Sequence, residues 1–281
     1  MIFIFGRIWF EKSLGKFNLM KEIHMQLSFE GKVAIVTGAT SGIGKATARA
    51  LANHRCDVML TGRNQVKLIE LEEEISSTGV RCQVMAGDIR DHQFRSRLIE
   101  ETVTRLGQLD ILINSAGVIQ MGTIENTPME EYDRLMDINL RSIFHLTQLA
   151  IPYLERTKGN IVNVSSVAGL RSFPGIISYC ISKAGLDQLT RCAALELAPK
   201  GIRVNAVNPG VVVTSLHTNS GMTEEQYQNF LEKGKETHPI GRVGTPEEVA
   251  DLILFLASES AGWITGVTYS IDGGRAQTCA R

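Results

Sequence analysis

The chain has 281 residues, 43% hydrophobic and 21% charged, with a formal net charge of −1. That length holds one large domain or two small ones, and the composition is that of a soluble globular protein. The balanced charge excludes a global field that would draw the chain to nucleic acid or to an anionic membrane surface.

Residues 1–26 differ from the rest. The apolar run Met1-Ile-Phe-Ile-Phe5 is interrupted by Gly6 and Arg7, far short of the ~20 apolar residues a membrane span needs. Arg7, Lys12, Lys16 and Lys21 give a basic bias that a mitochondrial presequence would share, against which stand Glu11 and Glu22. The segment reads as a poorly ordered extension ahead of one domain over residues 27–281.

From there, apolar runs of β type alternate with segments of helical period. Lys32–Thr37 reads as a buried strand ending at a glycine turn, Ile43–Asn53 as a helix and Asp57–Thr61 as a strand. Gln65–Ser77 is a helix with Leu68, Leu71 and Ile75 along one stripe, and Arg81–Met85 a third strand. Asp91–Arg105 is helical and Leu109–Asn114 a fourth strand. Met129–Leu154 is helical with a break near Asn139, Asn160–Val164 a fifth strand and Ser178–Ala198 a long helix. Arg203–Val207 and Val267–Ile271 are the sixth and seventh strands.

Between the last two lies an insertion, Val211–Gly244. It holds a helix that starts at Thr223 with Gln226 at the capping-box position. A second helix begins at Thr245-Pro246-Glu247-Glu248, where the cap, the proline and the glutamate sit at their preferred places. An insertion beside a ligand site is a natural lid or substrate loop. The alternation implies a single α/β domain, a Rossmann-type doubly wound sheet of about seven parallel strands with helices on both faces.

Five cysteines (Cys56, Cys82, Cys180, Cys192, Cys279) are scattered without a CxxC pair. They suggest reduced thiols in a reducing compartment, read here as the cytoplasm. With no HExxH and no Cys/His cluster, no metal site is expected.

Thr37-Gly38-Ala39-Thr40-Ser41-Gly42-Ile43-Gly44 follows the first strand and opens a helix. Glycines there let a pyrophosphate approach the backbone, and the helix N-terminus offers free N–H groups and partial positive charge. At the tip of the second strand an acid would bind the 2′-hydroxyl of NAD. The chain has Thr61-Gly62-Arg63-Asn64 instead. Arg63 can fork onto a phosphate, so NADP(H) is expected over NAD(H). Tyr179 and Lys183 stand four apart in Ser178-Tyr179-Cys180-Ile181-Ser182-Lys183, on one face of a helix. A nearby ammonium should lower the phenol's pKa and make it an acid–base group.

Together these residues resemble the classical short-chain dehydrogenases/reductases. The resemblance spans about Leu27–Gly274. It rests on the Thr37–Gly44 turn, Asp88-Ile89, Asn114-Ser115-Ala116-Gly117, Asn139, Ser166, Tyr179-x3-Lys183 and Asn208-Pro209-Gly210-x3-Thr214. The family usually has Asn in the second slot of the fourth-strand motif, where this chain has Ser115.

The resemblance implies that Gly38, Thr40, Ser41, Gly42, Ile43 and Gly44 hold the dinucleotide, with Arg63 and Asn64 beside them. Asp88 and Ile89 would hold the adenine, and Asn114, Ala116 and Gly117 would line its ribose. Pro209, Gly210, Val212 and Thr214 would fix the nicotinamide end. Tyr179 would be acid or base, Ser166 would polarise the substrate oxygen, and Lys183 would also grip the nicotinamide ribose. Asn139 would hold a water relaying protons to Lys183. The segments His238–Glu248 and Thr265–Gly274 look most like the 3-oxoacyl-[acyl-carrier-protein] reductase branch, which implies a homotetramer and a ketone or 3-oxoacyl substrate. An alcohol dehydrogenase acting on steroid, retinoid or sugar substrates is the alternative, and a non-catalytic NADP-binding scaffold a second.

Overall fold

The computed structural model describes residues 27–216 and 221–278, so the expected N-terminal extension lies outside the described residues. Strand β1 (Val33–Thr37) is buried along its whole length. Its side chains alternate between two cores, as a strand's period of two requires. Ala34 and Val36 enter one cluster with Leu51, Leu68, Leu71 and Ile253. Val33 and Ile35 enter the other with Phe94, Leu98, Leu146, Leu154 and Leu197. Strands β2 (Asp57–Gly62), β3 (Cys82–Ala86), β4 (Ile111–Asn114), β5 (Asn160–Val164), β6 (Arg203–Pro209) and β7 (Thr268–Ile271) complete a seven-stranded sheet. Its order is β3-β2-β1-β4-β5-β6-β7, and every pairing is parallel.

One face is covered by α1 (Gly42–Asn53), α2 (Gln65–Ser76) and a late helix, Pro246–Ala257. The other is covered by α3 (His92–Leu106) and by two long helices, Ser142–Thr157 and Ile177–Leu197. Burying one Leu or Ile side chain in such a core is worth ~1.5–3 kcal/mol. The sheet is therefore anchored on both sides, and its strand ends are rigid platforms.

The expected elements appear with small shifts that have local causes. The fourth strand starts at Ile111 rather than Leu109, because the Asp110 carboxylate turns to accept the Val33 N–H at 2.8 Å. The seventh starts at Thr268, because the Val267 N–H is taken by Asn205 Oδ1. The expected break near Asn139 is a π-turn, Asp137–Arg141, between α4 (Met129–Met136) and α5 (Ser142–Thr157). A short helix, α6 (Val167–Leu170), precedes the long α7 (Ile177–Leu197) and was not anticipated. In the insertion, α8 (Glu224–Thr237) and α9 (Pro246–Ala257) both start with complete capping boxes, Thr223 with Gln226 and Thr245 with Glu248.

Candidate active site

A cleft of about 460 Å³ opens at the carboxyl ends of β1, β2, β4, β5 and β6, where ligands of doubly wound sheets bind. Its first half is built from backbone. Gly38 has φ +68°, and a Cβ there would lie 2.9 Å from Ala116 Cα. At Gly44 a Cβ would run into the Gly38 carbonyl oxygen. The close turn thus demands glycine at both places. The Thr37 hydroxyl accepts from the Ser115 and Ala116 N–H groups, both at 3.0 Å, and so ties the β4 loop to the β1 turn. Gly38, Thr40, Ser41, Gly42, Ile43 and Gly44 line this half, with Arg63, Asp88, Ile89, Ala116 and Gly117.

Arg63 is exposed at the tip of β2 and makes no hydrogen bond or ion pair with any described residue. The Asp88 carboxylate is held by Arg90, whose Nη2 donates at 2.6 Å, and this pair lowers its pKa. Two of the expected binders stand outside the lining. Asn64 caps α2, its side chain accepting from Lys67 N–H at 3.1 Å. Asn114 is fully buried within the sheet and donates to Asn163 Oδ1 at 2.9 Å. The pyrophosphate-type cradle of glycines and the α1 N-terminus fit a dinucleotide.

The second half holds the chemistry. Ser166, Tyr179 and Lys183 all line the cleft and are buried. Ser166 caps α6, its Oγ accepting from Ala168 N–H at 3.1 Å. Ser165 turns the other way, donating to the Lys183 carbonyl at 3.3 Å. Lys183 Nζ donates to the Val164 carbonyl at 2.8 Å and lies 5.7 Å from the Tyr179 ring centroid.

The anticipated fall in the Tyr179 pKa is absent. Burial pushes the phenol up to about 12, opposed by the Ser166 hydroxyl beside it. Burial likewise draws Lys183 down to about 8, opposed by the Asp187 carboxylate one turn on. The α7 spacing does put the two groups on one face, yet burial dominates both and neither group figures among the influences on the other.

Asn139 is fully buried and does not line the cleft. Its Oδ1 accepts from Val118 N–H at 2.9 Å, and its Nδ2 donates to the Val118 carbonyl at 2.8 Å and to Ser182 Oγ at 3.1 Å. It therefore clasps the β4 loop to α7. Gly117 leaves room between this amide and the ammonium, since a Cβ there would lie 3.5 Å from Asn139 Oδ1 and 3.6 Å from Lys183 Nζ.

Pro209, at the end of β6, and Gly210, Val212 and Thr214, on the strap that follows it, line the cleft. Two residues of the insertion to which the sequence reading gave no role hold this strap. Buried His238 donates from Nδ1 to the Gly234 carbonyl at 2.6 Å and accepts at Nε2 from Val211 N–H at 3.0 Å. Burial lowers its pKa, and the acceptor role requires the neutral ring. The Tyr227 hydroxyl accepts from Thr214 N–H and donates to its carbonyl. Arg275, from the last described turn, also lines the cleft. It stands one residue past the Thr265–Gly274 segment, whose resemblance gave it no role.

The comparisons with known proteins agree. A family model described as enoyl-(acyl carrier protein) reductase matches residues 38–276. Over 249 residues the chain is 37% identical to a 3-oxoacyl-[acyl-carrier-protein] reductase of Thermotoga maritima, covering 88% of this chain and 99% of that one. It is 35% identical over 251 residues to a cyclohexanol dehydrogenase of an Acinetobacter species, covering 89% and 96%. A short-chain dehydrogenase/reductase of unknown function from Caenorhabditis elegans, solved with cofactor, superposes with a TM-score of 0.85 at 35% identity, covering 90% of this chain and 97% of that one. With a doubly wound parallel sheet, a glycine-built crevice at its strand ends and matches over nearly the whole domain, the chain belongs to the short-chain dehydrogenase/reductase family of oxidoreductases.

Proposed function

We propose that the chain is an NADP(H)-dependent reductase of a ketone or 3-oxoacyl substrate, with Tyr179 as its acid–base group. The observation that carries this reading is the buried Ser166–Tyr179–Lys183 cluster at the floor of a glycine-lined cleft. A bound nicotinamide dinucleotide supplies the hydride. The glycines of residues 38–44 and the α1 N-terminus would hold its pyrophosphate, Asp88 and Ile89 its adenine, and the Pro209–Thr214 strap its far end. Arg63 at the β2 tip would take the 2′-phosphate, for which speak the absence of an ion pair to any described residue and of an acid within Thr61–Asn64, Asp88 nearby being held by Arg90.

Ser166 would donate to the substrate oxygen and polarise the carbonyl. Tyr179, with a pKa near 12, keeps its proton at neutral pH and passes it to the more basic alkoxide as that forms. Lys183 would hold the cofactor ribose. The amide of Asn139 keeps Val118 and α7 in register, and the space above Gly117 could seat the water that returns a proton toward Lys183.

Steady-state assays of ketones and acyl thioesters, followed by NADPH absorbance, test the reading. Consumption of NADPH with at least one class is expected. Equal or faster rates with NADH would overturn the cofactor assignment, and no turnover of any carbonyl would overturn the enzyme. The similarity to a cyclohexanol dehydrogenase favours a second reading, oxidation of an alcohol at the same site. Comparing kcat/KM in both directions on matched pairs separates the two.

A homotetramer is part of the proposal. Trp263 is fully exposed beside the edge strand β7, which also exposes Tyr269, while Phe144, Ile181 and Leu195 are exposed on α5 and α7. Two separate apolar faces suit the two interfaces of such an assembly, and light scattering would read its mass. Among the described residues no helix is long and apolar enough to cross a membrane. The free thiols of Cys56, Cys82, Cys180 and Cys192 fit the reducing environment of the cytoplasm.

A further inference from the structure

The substrate end of the cleft is apolar, lined by Ile119, Phe173, Ile176, Leu216 and Met222. Ile119, Phe173, Ile176 and Leu216 also pack in the cluster around Tyr179. Into this end the chain brings Arg275 from the turn after β7. Its guanidinium carbon stands over the Phe173 ring, 5.0 Å from the centroid, a contact that holds the head against the aromatic face. One of its nitrogens, Nη1, donates to Thr237 Oγ1.

Arg275 forms no ion pair with any described residue. The acid closest in sequence, Asp272, spends its oxygens on the turn itself, accepting from Gly274 N–H at 3.0 Å and Ala276 N–H at 2.6 Å. The head is not loose, because the backbone that carries it is clamped. Arg171, from the segment that follows Ser166, donates to the Ala276 carbonyl at 2.6 Å and to the Thr278 carbonyl at 3.0 Å. The turn bearing Arg275 is thus tied to the loop that carries the catalytic serine. Asp272 lends the half-buried guanidinium a favourable field, while burial draws its pKa down, and among the described residues no carboxylate oxygen reaches its nitrogens. Its remaining donors, in fixed fork geometry, match a carboxylate.

We propose that Arg275 binds a carboxylate of the substrate, so that the preferred substrates are oxo-acids and their hydroxy-acid products. The reacting carbonyl lies at Ser166 and Tyr179, and the carboxylate lies across the apolar wall at Arg275. A single cation balances a monoanion, and the apolar surroundings disfavour a phosphate dianion there. The assignment rests on the carbonyl reductase reading and names its substrate class.

The test uses the full-length protein with a series of straight-chain oxo-carboxylates, carbonyl and carboxylate separated by two to eight carbons, each beside its methyl ester. For at least one length the wild type should favour the acid over the ester by roughly tenfold or more in kcat/KM. Arg275→Met should bring that ratio close to one, and Arg275→Lys should keep part of it. Turnover of esters and neutral ketones with an acid/ester ratio below about two at every length would overturn the assignment and leave the reductase reading standing. A preference that persists in Arg275→Met would overturn it equally. Cofactor binding without turnover of any acid, ester or ketone would remove the reductase reading and this assignment together. The wild-type ratio decides even if a variant fails to fold.

Discussion

The two halves of the cleft are made differently. The dinucleotide half is shaped by main chain: Gly38 and Gly44 stand where any side chain would strike backbone, and Thr37 fastens one strand end to the next. The substrate half is shaped by side chains from separate segments, with Ile119 after β4, Phe173 before α7, Leu216 in the insertion and Arg275 at the chain's end. Backbone-built surfaces admit few residue types and tolerate little change. Side-chain surfaces accept many volumes and tune preference instead.

The sharpest way to break this comparison is at the point where the halves meet. Tyr179→Phe should lower kcat by roughly 10²–10⁴-fold while cofactor titration by fluorescence stays close to wild type. Retained turnover would mean that the phenol does not carry the proton. Next in size, Gly44→Ala should strain the turn by ~1–3 kcal/mol, about 10–100-fold in cofactor Kd. Unchanged affinity would show that the backbone half is softer than its contacts imply.

Arg63→Ala should raise KM for NADPH by about tenfold and leave NADH near its wild-type value, as loss of one charged phosphate contact would. The pH profile should separate the two directions. On the proposed mechanism reduction draws on protonated Tyr179, whose phenol burial pushes up to about 12. It would draw too on charged Lys183, which burial brings down to about 8 and which is lost as pH rises through that value. Reduction should therefore decline above that pH, while the ratio of oxidation to reduction climbs as the phenolate becomes accessible. The smallest change is expected in the other half. Leu216→Ala should shift KM for apolar carbonyls by roughly two- to fivefold and leave the cofactor KM alone.

The same contrast explains what could be read before the fold was known. The inner strands were legible because their apolar runs are short, buried and separated by helices of clear period, as at Ala34/Val36 against Val33/Ile35, whereas the edge strands β3 and β7 are only partly buried and were legible from the alternation of strands and helices. The glycine turn was legible because its geometry forbids alternatives. Helical spacing set Tyr179 beside Lys183, while the place of Ser166 and of the whole cluster in the cleft came from the glycine turn and the family resemblance. Burial was not legible, and it reverses the direction expected for the phenol. Asn64 and Asn114 were placed by motif alone, whereas the fold uses one as a helix cap and the other inside the sheet. His238, Tyr227 and Arg275 act through contacts made after long excursions of the chain, so that even His238, which opens a family-like segment, and Arg275, which adjoins another, carried no readable role.

The widened turn at Asp137–Arg141 lets one long helical stretch serve two masters. Leu135, before it, packs in the cluster around Tyr179, whereas Leu146, Ala150 and Leu154, after it, pack under the sheet. One residue more or fewer in regular α winding rotates everything downstream by ~100°, and a π-turn is where such a residue is absorbed. A change of length that the turn does not absorb would swing the two stripes out of phase. Either the pocket wall or the sheet's cover would then face solvent, so the length of this stretch is as constrained as its composition.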